Sequence, residues 1–167
     1  MKHLELNLLL KTAFLFPLSL LVGFMAVVQW SLVPAQNGLS GPAYATLEKG
    51  MNNVMRTLTP TLMIFSLVAG LLLVVIAWRQ GAQESLLLSL AVVALVVMIA
   101  TTLPINAPVN AAIDGWDIAA LPAAWQELRD RWEFGHAIRS YVGLAGLLAA
   151  IVASSWDARC RRTRTTS

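Results

Sequence analysis

Charge is scarce in this chain: of its 167 residues only 13% are Asp, Glu, Lys or Arg, whereas 57% are hydrophobic. Soluble domains carry about 25% charged residues, so this deficit excludes most soluble enzyme folds, nucleic-acid-binding domains and disordered tails. Cysteine is nearly missing as well. The single Cys160 allows no intramolecular disulfide, which excludes a secreted disulfide scaffold, and it leaves no second thiol for a Cys-based metal site. Histidine occurs twice, at His3 and His136. No Walker, Gly-rich dinucleotide or Ser-His-Asp arrangement is found. The net charge of +3 does not indicate nucleic acid, because four of the twelve Lys and Arg (Arg159, Arg161, Arg162, Arg164) cluster in the last nine residues. A basic tail beside an apolar segment marks the cytoplasmic end of a membrane helix.

What the chain has in abundance is long apolar runs. A membrane span needs about 20 mostly apolar residues, and the charges cut the sequence into four such pieces, at about 12–33, 57–78, 85–103 and 134–156. The first exceeds the 7–15 residues of a signal-peptide core and is expected to be a retained helix. The second runs without charge between Arg56 and Arg79, with Pro60 in its first turn. Pro104 is expected to end the third. The fourth has 17 uncharged residues from Ser140 to Trp156, so it starts earlier, near Phe134. The expectation is a single all-α membrane domain over 1–167, a four-helix transmembrane bundle with two long outer loops containing short amphipathic helices and a basic tail over 157–167.

With four spans, both termini and the connection at Gly81 share one side, which holds Lys2, Lys11, Arg79 and the four tail arginines. The other side holds Lys49, Arg56, Arg129, Arg131 and Arg139. Seven cations against five place both termini in the cytoplasm, in a membrane read as the bacterial cytoplasmic membrane. The loops at about Pro34–Arg56 and Pro104–Glu133 then face outward.

Those loops carry the polar residues. Tyr44, Glu48, Asn52 and Arg56 recur every four residues and share one helical face. Such a stripe fits an interfacial helix with a solvated face, and equally one folded over the bundle mouth to line a pocket. In the second loop, Asn106 and Asn110 offer amide donors and acceptors at the membrane boundary, with helix capping as the plainer alternative. Further on, Trp132, His136 and Arg139 stand at i, i+4 and i+7 on one face of the fourth helix. Polar groups on a spanning helix turn toward the bundle interior; for Arg139 the alternative is snorkelling to the headgroups, and for His136 a hydrogen bond that stitches loop two to the helix.

The segments Pro104-x-Asn106-x-Pro108-x-Asn110 and Arg131-Trp132-x-x-x-His136-x-x-Arg139, together with four short spans, resemble the small integral-membrane anthrone oxygenase-like family. The likeness covers the whole chain in helix count and loop lengths, and about Thr101 to Ala150 at residue level; Gly135 stands where many relatives have Asn. It implies an oxygenase acting on a hydrophobic, polycyclic aromatic substrate in an outer-side pocket. An anthrone is a weak carbon acid whose enolate reacts with O2 directly. His136 is then the candidate general base; Arg139 and Asn106 or Asn110 are candidates to hold the developing oxyanion; Trp132 is a flat wall for an aromatic ring; and Arg131 joins the substrate-binding set.

No cofactor is expected. His3 and His136 fall on opposite sides of the membrane and cannot share an ion within one chain, while Glu133 and His136 form one Glu-x-x-His step, half of what a di-iron bundle uses. Haem or metal on His136 stays open, as does a homo-oligomer. The expected partners are membrane lipids and a hydrophobic small molecule. The competing function is a non-catalytic membrane protein that binds a lipid or a protein through the same polar cluster, with Gly143 and Gly146 allowing close helix approach. A pocket beside His136 separates the two, since a structural protein packs that face shut.

Overall fold

Prolines and glycines punctuate an otherwise helical chain. The computed structural model describes residues 2–165, with side chains from 5 to 156. The side chains of His3, Cys160 and the four tail arginines lie outside that range. Helix α1 (Lys2–Val27) widens into a π-helical turn at Val28–Leu32 and resumes as α2 (Val33–Gln36). After a four-residue break, α3 runs unbroken from Gly41 to Arg79, with Pro42 in its first turn. Gly81 takes a left-handed conformation (φ +60°) to turn the chain. Helix α4 (Ser85–Thr101) passes through a second π turn (Thr102–Asn106) into α5 (Ala107–Asp114), and α6 spans Trp125–Thr165. Among the described residues there is no strand, and the one isolated bridge pairs Asp117 with Ala120.

Two sequence expectations take a different form here. Loop one is not a loop carrying its own interfacial helix, because α3 continues through it and Pro60 lies in mid-helix. Nor does Pro104 end the third span. Proline removes one N–H and its ring crowds the carbonyl four residues back; the backbone answers by widening to i→i+5 spacing at Thr102–Asn106, as it does at Val28–Leu32 just before Pro34. The chain then goes on as α5, whose Val109 and Ile113 are buried.

Four helical stretches, Glu5–Gln36, Gly41–Arg79, Ser85–Asp114 and Trp125–Trp156, are long and apolar enough to cross a membrane. Helices α3 and α6 each pack on α1 and α4, so they stand on opposite sides of the bundle. Phe14, Leu18 and Leu21 of α1, Leu73 of α3, Leu88 and Leu95 of α4 and Ala150 of α6 make up much of its core. At Gly146 the expected close approach occurs: a Cβ there would lie 2.6 Å from that of Ala94. The outside is as apolar as the inside, with Phe16, Ile64, Phe65, Val68, Leu90 and Leu148 all exposed. An apolar surface of that extent needs lipid as its solvent. The chain is an integral membrane protein, a four-helix transmembrane bundle.

Candidate functional site

The two π turns lie at the same end of the bundle and both border the polar cluster. On α6, Trp132 and His136 stack with ring centroids 4.8 Å apart and planes 5° from parallel. The Trp132 Nε1–H donates to Asn110 Oδ1 at 2.7 Å, and Asn106 Nδ2 donates to the Trp132 carbonyl at 2.9 Å. This contact depends on Gly135. A Cβ at that position would lie 2.5 Å from Asn106 Oδ1 and 2.7 Å from Ile105 Cγ2, so in this chain glycine lets α6 close on the π turn with Asn106 and Ile105 in their present rotamers.

His136 is 2% exposed and both its ring nitrogens are engaged. Nε2 lies 3.2 Å from the Met25 carbonyl, which can only accept, and Nδ1 lies 3.1 Å from Arg139 Nη2, which can only donate. The partners therefore assign a neutral ring protonated on Nε2. The carbonyl belongs to α1, so His136 ties α6 to the first helix and not to loop two. Ser140 Oγ, which bonds back to the His136 carbonyl of its own helix at 2.8 Å, also reaches the Met25 carbonyl at 3.4 Å and so adds to the tie.

Arg139 is 6% exposed and does not snorkel. Its Nη1 donates to Thr102 Oγ1 at 3.3 Å, while its Nε–H has no partner. Among the described residues no carboxylate pairs with it; Asp114 pairs with Arg56, and Asp130 and Glu133 with Arg129. Burying a cation costs several kcal/mol, and a counter-charge normally offsets that.

A cavity of about 350 Å³ opens beside this cluster, bounded by Phe24 and Met25 of α1, Met51 and Met55 of α3, Ala111 of α5 and the polar residues of α6. Such a volume falls at the small end of ligand pockets, about 300–1,000 Å³. Four of the six residues singled out from the sequence, Trp132, His136, Arg139 and Asn110, line it. Asn106 supports Trp132 from behind. Arg131 is exposed, and its Nη2 donates to the Pro104 carbonyl at 2.9 Å, away from the cavity.

The facing wall is the α3 stripe. Glu48, Asn52 and Arg56 all line the cavity, while Tyr44 is buried one turn earlier against Trp116 and Trp125. Asn52 Nδ2 donates to Asp114 Oδ1 (3.2 Å) and to the Asn110 carbonyl (3.3 Å), and Arg56 pairs with Asp114 across the mouth. Glu48 is 1% exposed: Gln36 Nε2 donates to its Oε1, while Oε2 has no partner. The four-residue spacing pointed to this face; Asp114, Gln36, Thr102 and the Met25 carbonyl had no comparable signal. Glu133, half of the Glu-x-x-His step, lies 3.8 Å from Arg129 instead of beside His136. Among the described residues no three His, Cys, Asp or Glu side chains converge on a point that could hold a metal ion.

Comparison with curated proteins and with solved structures finds no match. The family model for anthrone oxygenase matches residues 49–149, a stretch that includes most of the cavity wall, both asparagines and the Trp132–His136–Arg139 face. The chain belongs to the anthrone oxygenase family.

Proposed function

We propose that this oxygenase-like membrane protein binds a flat, hydrophobic, polycyclic aromatic carbon acid in the cavity beside His136 and converts its doubly benzylic CH2 to a carbonyl with O2. The observation that carries the proposal is Arg139, a buried cation with no carboxylate partner among the described residues and with an idle Nε–H, in the wall of a cavity. An enolate oxygen supplies the missing anion. Trp132, stacked on His136, offers the aromatic face, and the cavity argues against a purely structural role, which would fill that space.

Removal of one C–H proton leaves an enolate, and addition of O2 to its carbon gives a hydroperoxide. Loss of the second C–H proton with cleavage of the O–O bond then yields the carbonyl and one water, so that CH2 and O2 become C=O and H2O. Arg139 holds the charge as it develops on oxygen, and His136 orients the guanidinium through Nδ1. For His136 to act as the general base, Arg139 Nη2 must first leave Nδ1. The substrate reaches the cavity from the bilayer at the outer side, both termini are cytoplasmic, and the membrane is the bacterial cytoplasmic membrane. Neither a metal nor a flavin is required by this route, and membrane lipids surround the bundle.

Calorimetric titration of the detergent-purified chain tests the binding half of the proposal. Anthrone binds, while anthracene, which has the same tricyclic frame without the oxygen, binds at least about tenfold more weakly, the equivalent of one charge-assisted hydrogen bond. Equal affinity for the two, or none for either, overturns it.

A further inference from the structure

His136 has no lone pair to spare, and protonating its Nδ1 would set an imidazolium against the Arg139 guanidinium, two like charges in a buried site. Across the cavity the situation is reversed. Glu48 lines the wall, is 1% exposed, gives one oxygen to Gln36 Nε2 and leaves Oε2 without a partner. It stands on α3, opposite the cation on α6. A buried carboxylate oxygen with no donor is costly to keep unless something is brought to it.

We propose that Glu48 Oε2 is the base that takes the substrate proton, so that the carbon acid is deprotonated from the α3 wall while its oxygen is held from the α6 wall. The assignment rests on the oxygenase reading above. In this step the C–H bond breaks, its electron pair stays with the substrate and is delocalised onto the oxygen at Arg139, and the proton forms an O–H bond with Glu48. The negative charge thereby moves from Glu48 to the substrate, beside the unpaired cation. After O2 has added, the same proton passes to the peroxide anion and restores the carboxylate. Gln36 fixes the other oxygen and so orients Oε2. It is a positioning residue.

Proton abstraction can be read without oxygenation. Anthrone is incubated with the detergent-purified full chain in D2O without O2, and loss of its CH2 proton signal is followed by NMR. The wild type accelerates exchange over the protein-free rate; Glu48→Gln loses about 10²-fold or more of that acceleration, the scale of general-base catalysis, while still binding anthrone. Glu48→Asp, which keeps the carboxylate but draws it back by one methylene, retains part of it and serves where Glu48→Gln does not fold. Exchange undiminished in the Glu48 variants, or lost in His136→Asn with Glu48→Gln unaffected, overturns the assignment and leaves the oxygenase reading standing. Absence of acceleration by the wild type overturns both.

Discussion

Arg139 concentrates the energetics of the site in one side chain. Its stem packs inside the bundle, two of its donors hold Thr102 and His136, and among the described residues its charge meets no carboxylate. Arg139→Leu removes a buried cation along with its desolvation cost, so its thermal stability should equal or exceed that of the wild type, while anthrone affinity falls at least about tenfold. A variant of unchanged affinity would deny Arg139 its role as counter-charge. His136 differs, since its loss breaks the shorter of the two contacts to the Met25 carbonyl, leaving only Ser140 Oγ at 3.4 Å, and empties the space of a buried ring. His136→Ala should cost about 1–3 kcal/mol of stability, read as a lowered midpoint of thermal unfolding, and an unshifted midpoint would contradict the tie. The side-chain face was legible from spacing alone, since Trp132, His136 and Arg139 recur at helical intervals; Arg131, included in the substrate-binding set from the sequence, sits one step of about 100° around the helix from Trp132 and turns to the Pro104 carbonyl. The partner of His136 was not legible, because it is a backbone carbonyl that carries no sequence signal.

At the scale of elements, the two π turns shape the site. The first precedes Pro34 and the second contains Pro104, each proline forbidding a regular helical bond, and each turn brings groups to the site: Met25 lies just before the first, and Thr102 and Asn106 are within the second. A sequence reading that takes proline as a stop places a loop there, since local rules describe the lost N–H but not whether neighbouring helices hold the chain in a widened turn. Similarly, the stripe from Tyr44 to Arg56 showed its periodicity, but not that it continues into the membrane span as one helix. Pro104→Ala lets the backbone return toward α-helical spacing and draws Thr102 and Asn106 off register with Arg139 and Trp132. Anthrone affinity should drop several-fold without loss of thermal stability, as titration and unfolding measured on the same preparation would show. A variant that binds like the wild type would mean that the π turn is incidental to the site. Gly146→Leu acts elsewhere: it drives a side chain into Ala94 and should cost about 1–3 kcal/mol by overpacking, with ligand affinity per folded molecule unchanged.

For the whole molecule, three charge-free runs of about twenty residues and a fourth of 17 from Ser140 to Trp156 sufficed to reveal the bundle, because lipid demands continuous helices and tolerates little charge. The cavity was beyond sequence, since it depends on which faces of α3 and α6 meet across the bundle centre. The orientation proposed from the distribution of Lys and Arg is open to direct test with Cys160, the single thiol: with the termini inside, an impermeant maleimide should label it only after the membrane is opened, and labelling in cells whose inner membrane is intact would reverse the proposed topology. The central claim, that the cavity beside Trp132 and His136 is where an aromatic carbon acid meets O2, is tested most directly by oxygen uptake with anthrone as substrate. Uptake is compared between the purified wild type and Ala111→Trp, which places an indole at the exposed cavity wall without removing any polar group. The wild type should consume one O2 for each CH2 converted to carbonyl, at a rate well above the protein-free control, and the folded Ala111→Trp variant should fall at least about tenfold. Equal rates in the two proteins, or no acceleration by the wild type, would contradict the account.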